Sequence, residues 1–367
     1  MSVRVSLDAW DSLRARDFDE WQALSNASAT SNPFLLPGFV QAAATWLTPT
    51  APPVLMRVRR EHGDELIGLC CVERRAPNLF VPLPHWRGYR HAHAFQSGWL
   101  AAPDAAALLA RGIADHLQHR ASPMRALLMH NLIGECAVNA ALLDSIGNGL
   151  HWMRTRSFQR PILHVEPGVS PVPRMRASVL KDLRRRLRRL QDGGDVQTRI
   201  LEGEQADRAA AERHLHLEDA GWKGEAGSSM LASHAQRDFF LEMAQRLQAT
   251  GELVFVELLC DGKVIASTSN LLSGGVLSGF KTGWDPHFHK ASPGRINEWR
   301  LFEAMSERWP ALHGFDSQAQ QDSYLAELLP DRQTMESGLL IGGSARRHWM
   351  RAARALRPLA YRLGHDE

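Results

Sequence analysis

Apolar positions along the chain follow two different spacings. Short runs at 54–58 (VLMRV) and 65–73 (ELIGLCCVE) flank His62-Gly63-Asp64 and predict a β-hairpin. The stretch 105–119 carries apolar residues at helical spacing, and 125–130 (RALLMH) suits a buried strand. Leu180, Leu183, Leu187 and Leu190 recur at intervals of 3, 4 and 3, which predicts an amphipathic helix that Asp192-Gly193-Gly194 ends. A strand (196–200), a helix (204–220), a glycine-punctuated loop (221–229, GWKGEAGSS) and a second helix (236–250) follow. The turns Asp261-Gly262 and Ser273-Gly274-Gly275 separate three apolar runs, 253–260, 263–272 and 275–283, as in an antiparallel meander. Pro293-Gly294 then opens a helix over 295–309, and 312–316 reads as a strand.

A chain of 367 residues, 44% of them hydrophobic, has room for two domains and excludes a disordered or fibrous protein. The proline-rich stretch 166–173 (EPGVSPVP) marks the expected boundary between domains at 1–165 and 174–344, with a basic helix at 345–367. The longest charge-free stretch, 26–56, is broken by five prolines and does not make a spanning helix. With no apolar leader at the start, a cytoplasmic protein is expected. Cys70 and Cys71 are adjacent while Cys136 and Cys260 stand alone, so the cysteines fit neither zinc nor C-x-x-C redox spacing and read as buried hydrophobes.

Charge changes the picture more than composition does. The net +3 hides two basic stretches, +7 over 174–190 and +6 over 346–362, so the rest of the chain carries −10. Such asymmetry predicts either solvated helix faces or an anionic partner, tRNA or a membrane surface, at these helices.

The second-half order of helix, helix, three antiparallel strands, helix and strand is the layout of a GNAT-type acyl-CoA N-acyltransferase. The residues Glu218, Gly221-Trp222-Lys223-Gly224, Gly227, Ala266, Lys281-Thr282-Gly283-Trp284-Asp285, Ser292-Pro293-Gly294 and Asp316-Ser317 resemble the CelD/BcsL family of GNAT-like acetyltransferases. In the first half, Asn32-Pro33-Phe34 and Phe39 are similar to that family's amino-terminal domain. The resemblance implies an α+β fold of two GNAT-like domains with mixed, mostly antiparallel sheets flanked by helices. It implies acetyl-CoA or another acyl-CoA as donor and a small-molecule amine on an amino sugar, amino acid or envelope-polysaccharide precursor as acceptor. A distant likeness to the FemABX transferases leaves aminoacyl-tRNA as an alternative donor, and a catalytically silent scaffold as an alternative role. This sequence departs from its subgroup at Gln318 and at Ser323-Tyr324, where relatives carry a Cys and a His-Pro.

The chemistry assigns roles to particular residues. Ser292, Pro293 and Gly294 begin a helix whose first N–H groups and positive dipole end suit a pyrophosphate, with Arg295 adding a charge; an ordinary helix cap explains the same residues. Glu218 and Asp285 are candidates to hold or deprotonate an amine, and Tyr324, one of three tyrosines, is a candidate to protonate the leaving thiolate. Trp222 and Lys223 in the glycine-rich loop, with Lys281 and Asp316, are expected on the substrate side; Asp316 also reads as a buried structural carboxylate. The His-x-His pairs at 91/93, 214/216 and 287/289 lack accompanying ligands, so no metal is expected.

Overall fold

The computed structural model describes residues 2–78, 81–119, 124–144, 149–343 and 351. The elements run β1 (Val3–Ala9), α1 (Ala15–Ala27), α2 (Pro37–Trp46), β2 (Val54–Arg60), β3 (Leu66–Arg75), β4 (His85–Gly88) and β5 (Leu100–Ala101). They continue with α3 (Ala106–Gln118), β6 (Ala126–Ile133), α4 (Ala137–Asp144), β7 (Leu150–His164), α5 (Ala177–Gln191), β8 (Val196–Glu202) and α6 (Arg208–Asp219). Next come α7 (Trp222–Glu225), α8 (His234–Ala249), β9 (Leu253–Cys260), β10 (Lys263–Ser273) and β11 (Val276–Trp284). The last are α9 (Pro293–Arg308), β12 (Gly314–Asp316), α10 (Leu325–Leu328) and β13 (Asp331–Gly342).

These elements form two compact units. The second unit takes in Leu36–Pro49 and Gln159–Gln333, and the first holds the other described residues. The expected boundary at 166–173 therefore lies inside the second unit. The physical reason is strand β7, which continues past Phe158 so that Ile162, Leu163 and His164 pair with β12. The prolines only turn the chain, and Arg174 holds that turn through the His164 carbonyl and Asp331. Of the basic stretch expected at 345–367, all but Arg351 lies outside the described residues.

In the first unit β1, β2, β3 and β4 are antiparallel neighbours, β4 pairs with β6 in parallel, and β13 follows antiparallel to β6. Helix α3 presents Leu109, Ile113 and Leu117 to Met56, Val58, Ile67 and Cys70, all of them buried. The second unit repeats this order. Strands β8 to β11 are antiparallel, β11 and β12 are parallel, and the 159–164 part of β7 runs antiparallel to β12. The class is the expected one, mixed and mostly antiparallel sheets flanked by helices.

Every residue of β9 is buried, because helices cover both faces of the second sheet. Leu180, Leu183, Leu187 and Leu190 of α5 pack with Ile296 and Phe302 of α9 over Val254, Val256 and Leu258. The other face carries α6, α8 and α2, whose Phe39 and Phe240 meet Phe280 at ring distances of 5.8 and 6.3 Å. Strand β11 is thus held between α6 on one side and α9 on the other. Its register with β10 shifts between Ser269 and Asn270, a bulge next to the residues of interest.

Candidate active site in the second unit

Glu218 sits at the end of α6 and is almost fully buried, at 2% exposure. Its Oε1 accepts from Lys223 Nζ at 3.0 Å and its Oε2 from the Met230 backbone N–H at 2.8 Å. Lys223 also donates to the Thr282 carbonyl of β11 at 3.2 Å. Ser229 reaches back to Asp219, so the 221–229 segment is pinned at both ends to α6 instead of hanging free. Lys281 joins this cluster electrostatically. Burial pulls its ammonium down to about 8, with Glu218 resisting the shift and Lys223 reinforcing it. A lysine in that range gives up a proton near neutrality far more readily than a solvated one.

What allows α6 to come so close to β11 is Gly283. A Cβ there would lie 2.3 Å from the Glu218 nitrogen and 2.5 Å from the Leu217 carbonyl carbon. On the same side His214 is fully buried, its Nδ1 2.9 Å from Ser267 Oγ and its Nε2 3.2 Å from Ser269 Oγ. Burial, aided by the charges of Lys223 and Lys281, keeps this imidazole neutral, its pKa pushed down to about 3. The unfolded chain therefore binds a proton that the fold refuses. Stability is expected to fall as pH drops from about 6.5 toward 3, and chemical denaturation of wild type and His214→Gln across that range checks it, the variant showing the shallower slope.

The α9 face of β11 carries a second cluster. Glu298, at 3% exposure, accepts a hydrogen bond from the Tyr324 hydroxyl at 3.3 Å and another from the Thr282 side chain, while its Oε2 is buried without a partner. Burial pushes the Glu298 carboxyl up to about 7 against those two hydrogen bonds. Tyr324 as a residue is 40% exposed, but its hydroxyl turns inward to Glu298. Burial first, then the charge of Glu298, raises its pKa well above the ordinary phenol value.

The α9 N-terminus lies beside this cluster. Ser292 is left-handed (φ 52°), and its carbonyl accepts from the Arg295 and Ile296 N–H groups, so part of the expected cradle is already bonded within the helix. Its side-chain oxygen does not cap the helix. It accepts from Arg186 of α5 at 2.9 Å, and Arg186 also reaches the Lys290 carbonyl at 3.1 Å and Asp182 at 2.6 Å. The guanidinium stands near the positive end of the α9 dipole, and the Asp182 carboxylate offsets that placement. Arg295 bonds Glu327 at 2.9 Å and leaves its Nε buried without a partner. Gly294 is buried against β11, yet a Cβ on it would meet Thr282 Cγ2 and Trp284 Cδ1 at 3.5 Å, ordinary contact. Packing does not demand glycine there.

Two expected residues have other engagements. Asp285 caps the turn that follows β11, accepting from the His287 N–H and side chain and from Lys263 Nζ at 2.7 Å. Burial opposes its ionisation, but the Lys263 and His287 hydrogen bonds outweigh it and bring the carboxyl to about 2, which makes a weak base. Asp316 accepts from the fully buried Arg160 at 3.2 Å and from the Gln318 N–H at 2.9 Å, holding the turn after β12. The backbone of Trp222 lies in α7, one residue before Lys223. Sequence reasoning missed Glu298, and gave no site role to Arg186 of the basic stretch or to Thr282 of the 281–285 motif. The signal for Glu298 was its place one helical turn after Gly294, facing the same strand.

Among the described residues no three His, Cys, Asp or Glu side chains come together as a metal site, and no helix is long and apolar enough to cross a membrane. The cysteines are free, and burial pushes the Cys70 and Cys71 thiols up and out of reactive range.

The family model for an acetyltransferase (GNAT) domain matches residues 177–324. No curated protein sequence matches significantly. Among solved structures the chain is similar to FemX, with a TM-score of 0.59, 10% identity, and 92% of this chain and 98% of that chain covered. It is also similar to the C-terminal domain (DUF2156) of a putative lysylphosphatidylglycerol synthetase from Agrobacterium fabrum, at TM-score 0.54, 12% identity, and 94% and 95% covered. A conserved protein of unknown function from Bacteroides thetaiotaomicron gives TM-score 0.54 at 13% identity, with 89% and 98% covered. At such identities these likenesses speak for the fold, and the matched family model speaks for the domain that holds both clusters: the chain carries a GNAT-type N-acyltransferase domain at residues 177–324.

Proposed function

We propose that this domain transfers an acyl group from an acyl-CoA, acetyl-CoA in the simplest case, to the amine of a small acceptor such as an amino sugar, an amino acid or an envelope-polysaccharide precursor, as in the CelD/BcsL family. The observation that carries the reading is the pair of clusters on opposite faces of one short segment, 281–284. On the α9 face, the dipole of that helix with Arg186 and Arg295 suits the donor's pyrophosphate. Tyr324 is the group there with a proton for the departing sulfur. On the α6 face, Glu218, Lys223 and Lys281 suit an acceptor amine, which they hold through hydrogen bonds and relieve of its proton through Lys281. Direct transfer then needs positioning and proton movement, with no covalent enzyme intermediate.

Thiol release from acetyl-CoA, followed over a panel of amino sugars, amino acids and polyamines, tests the reading. At least one amine is expected to accelerate release, and Tyr324→Phe to slow it by about 10²-fold, within the range of a lost general acid. Aminoacyl-tRNA serves as the competing donor, and the basic face of α5 is the surface to which a tRNA would bind. Turnover with aminoacyl-tRNA and none with any acyl-CoA would overturn the donor assignment.

A further inference from the structure

We propose that Glu298 is a positioning residue that resupplies the proton Tyr324 gives to the leaving thiolate, so that the two side chains form a short relay ending at the donor's sulfur. The proposal rests on the acyl-CoA reading above and adds to it a residue that neither the sequence pattern nor the matched family model assigns.

The geometry carries it. Glu298 stands on α9, the helix proposed to hold the donor, and it points at β11 instead of at solvent, with 3% exposure. One of its oxygens lies 3.3 Å from the Tyr324 hydroxyl oxygen; the hydroxyl donates to a carboxylate there, and a neutral carboxyl group donates in the reverse direction. The other is buried and bonded to nothing, a costly arrangement for a carboxylate and a much cheaper one for a neutral carboxyl group. Among the described residues no cation pairs with Glu298. Arg295, on the same helix, is held by Glu327 of α10. Lys223 is bonded to Glu218, and Lys281 belongs by strand alternation to the opposite face of β11. From β11 itself only the uncharged Thr282 faces the pair.

The proton arithmetic gives this pair a purpose. Tyr324, with its pKa raised well above the ordinary value, is too weak an acid to protonate a thiolate of pKa about 8.5 by itself. Glu298, at about 7, is strong enough. In the relay, the amine nitrogen bonds to the acyl carbon and the C–S bond breaks with its electron pair going to sulfur. Sulfur takes the Tyr324 proton, the tyrosine oxygen takes the Glu298 proton, and the surplus proton of the former amine passes to Lys281 and from it to solvent, from which Glu298 is recharged. Above its pKa Glu298 is a carboxylate. It then draws the Tyr324 hydroxyl toward itself and has no proton to pass on, so turnover falls as pH rises through about 7.

Two measurements on the full chain test this. Using acetyl-CoA and an arylamine acceptor, which stays unprotonated over the range, wild-type kcat is expected to fall about tenfold per pH unit above about 7, and Glu298→Gln to show a lower plateau without that inflection. The second is tyrosinate absorbance titration of wild type, Glu298→Gln and Tyr324→Phe, needing no turnover, in which the Tyr324 transition is expected to move to lower pH in Glu298→Gln. An unchanged kcat–pH profile in Glu298→Gln overturns the relay and leaves the acyl-CoA reading standing, as does a Tyr324 transition that does not move. If wild type releases no thiol from acyl-CoA, the donor reading itself fails and the relay falls with it.

Discussion

Replacing Gly283 with alanine is expected to destabilise the chain by about 3 kcal/mol and to abolish acyl transfer, the upper end of what overpacking costs. The added methyl would lie 2.3, 2.5 and 2.6 Å from backbone atoms of Glu218 and Leu217. Backbone cannot swing aside as the tip of a lysine can, so the end of α6 has to lift from β11. The carboxylate of Glu218 moves with it and loses its registration with Lys223, Lys281 and the Thr282 carbonyl. Urea denaturation read by tryptophan fluorescence checks the stability term, and thiol release checks activity. Gly294→Ala is the internal comparison, since its Cβ meets only ordinary contacts and the fold is expected to tolerate it within about 0.5 kcal/mol.

Glu218→Gln is expected to be nearly as damaging for a different reason. The substitution keeps the size of the side chain but removes the one negative charge between two lysines, and taking one partner from a buried ion pair costs about 3 kcal/mol. Lys223 is 22% exposed at its side chain, which places the cost at the lower end of that range. Activity falls by more than stability does. Without Glu218, the acceptor amine loses its carboxylate partner and Lys223 loses the anchor that pins the 221–229 segment, a loss that the lower pKa of Lys281 does not offset. The expected signature is a higher KM for the amine with the donor affinity unchanged, measured by varying each substrate in turn. Equal losses of affinity for both substrates would mean that the site as a whole had collapsed.

Much of the second unit was legible because its elements are strongly patterned. The four-leucine stripe of α5, the meander from β9 to β11 and the Ser-Pro-Gly opening of α9 lie within a few residues of their expected limits. The first unit was less legible. Strand β1 (VRVSLDA) alternates apolar and polar residues and was open to reading as a strand, whereas β4 is four residues long, and β7 and β13 are arginine- and serine-bearing strands whose partners come from distant parts of the chain. The course of β7 also hid the unit boundary, because nothing local in 150–164 announces that its last six residues belong to the second unit. For the site, the sequence placed Glu218, Lys223, Lys281, Tyr324 and the start of α9 in the right unit. It could not tell that Asp285 is a turn cap or that Glu298 meets Tyr324 across 26 positions. Such facts depend on which face of a helix or strand a polar residue occupies, and periodicity alone does not decide that for a helix like α9, which is buried along most of its length.

In the proposed reaction the N-terminal end of α9, against β11, receives the diphosphate arm of an acyl-CoA. Isothermal titration of acetyl-CoA into wild type and into Gly294→Ala addresses it directly, because a side chain at 294 fills the space between the helix and Thr282–Trp284 without disturbing the fold. One site per chain is expected in the wild type, and a loss of at least about tenfold in affinity, about 1.4 kcal/mol, in the variant at equal thermal stability. No binding heat with the wild type, or identical affinities in the two proteins, would contradict it.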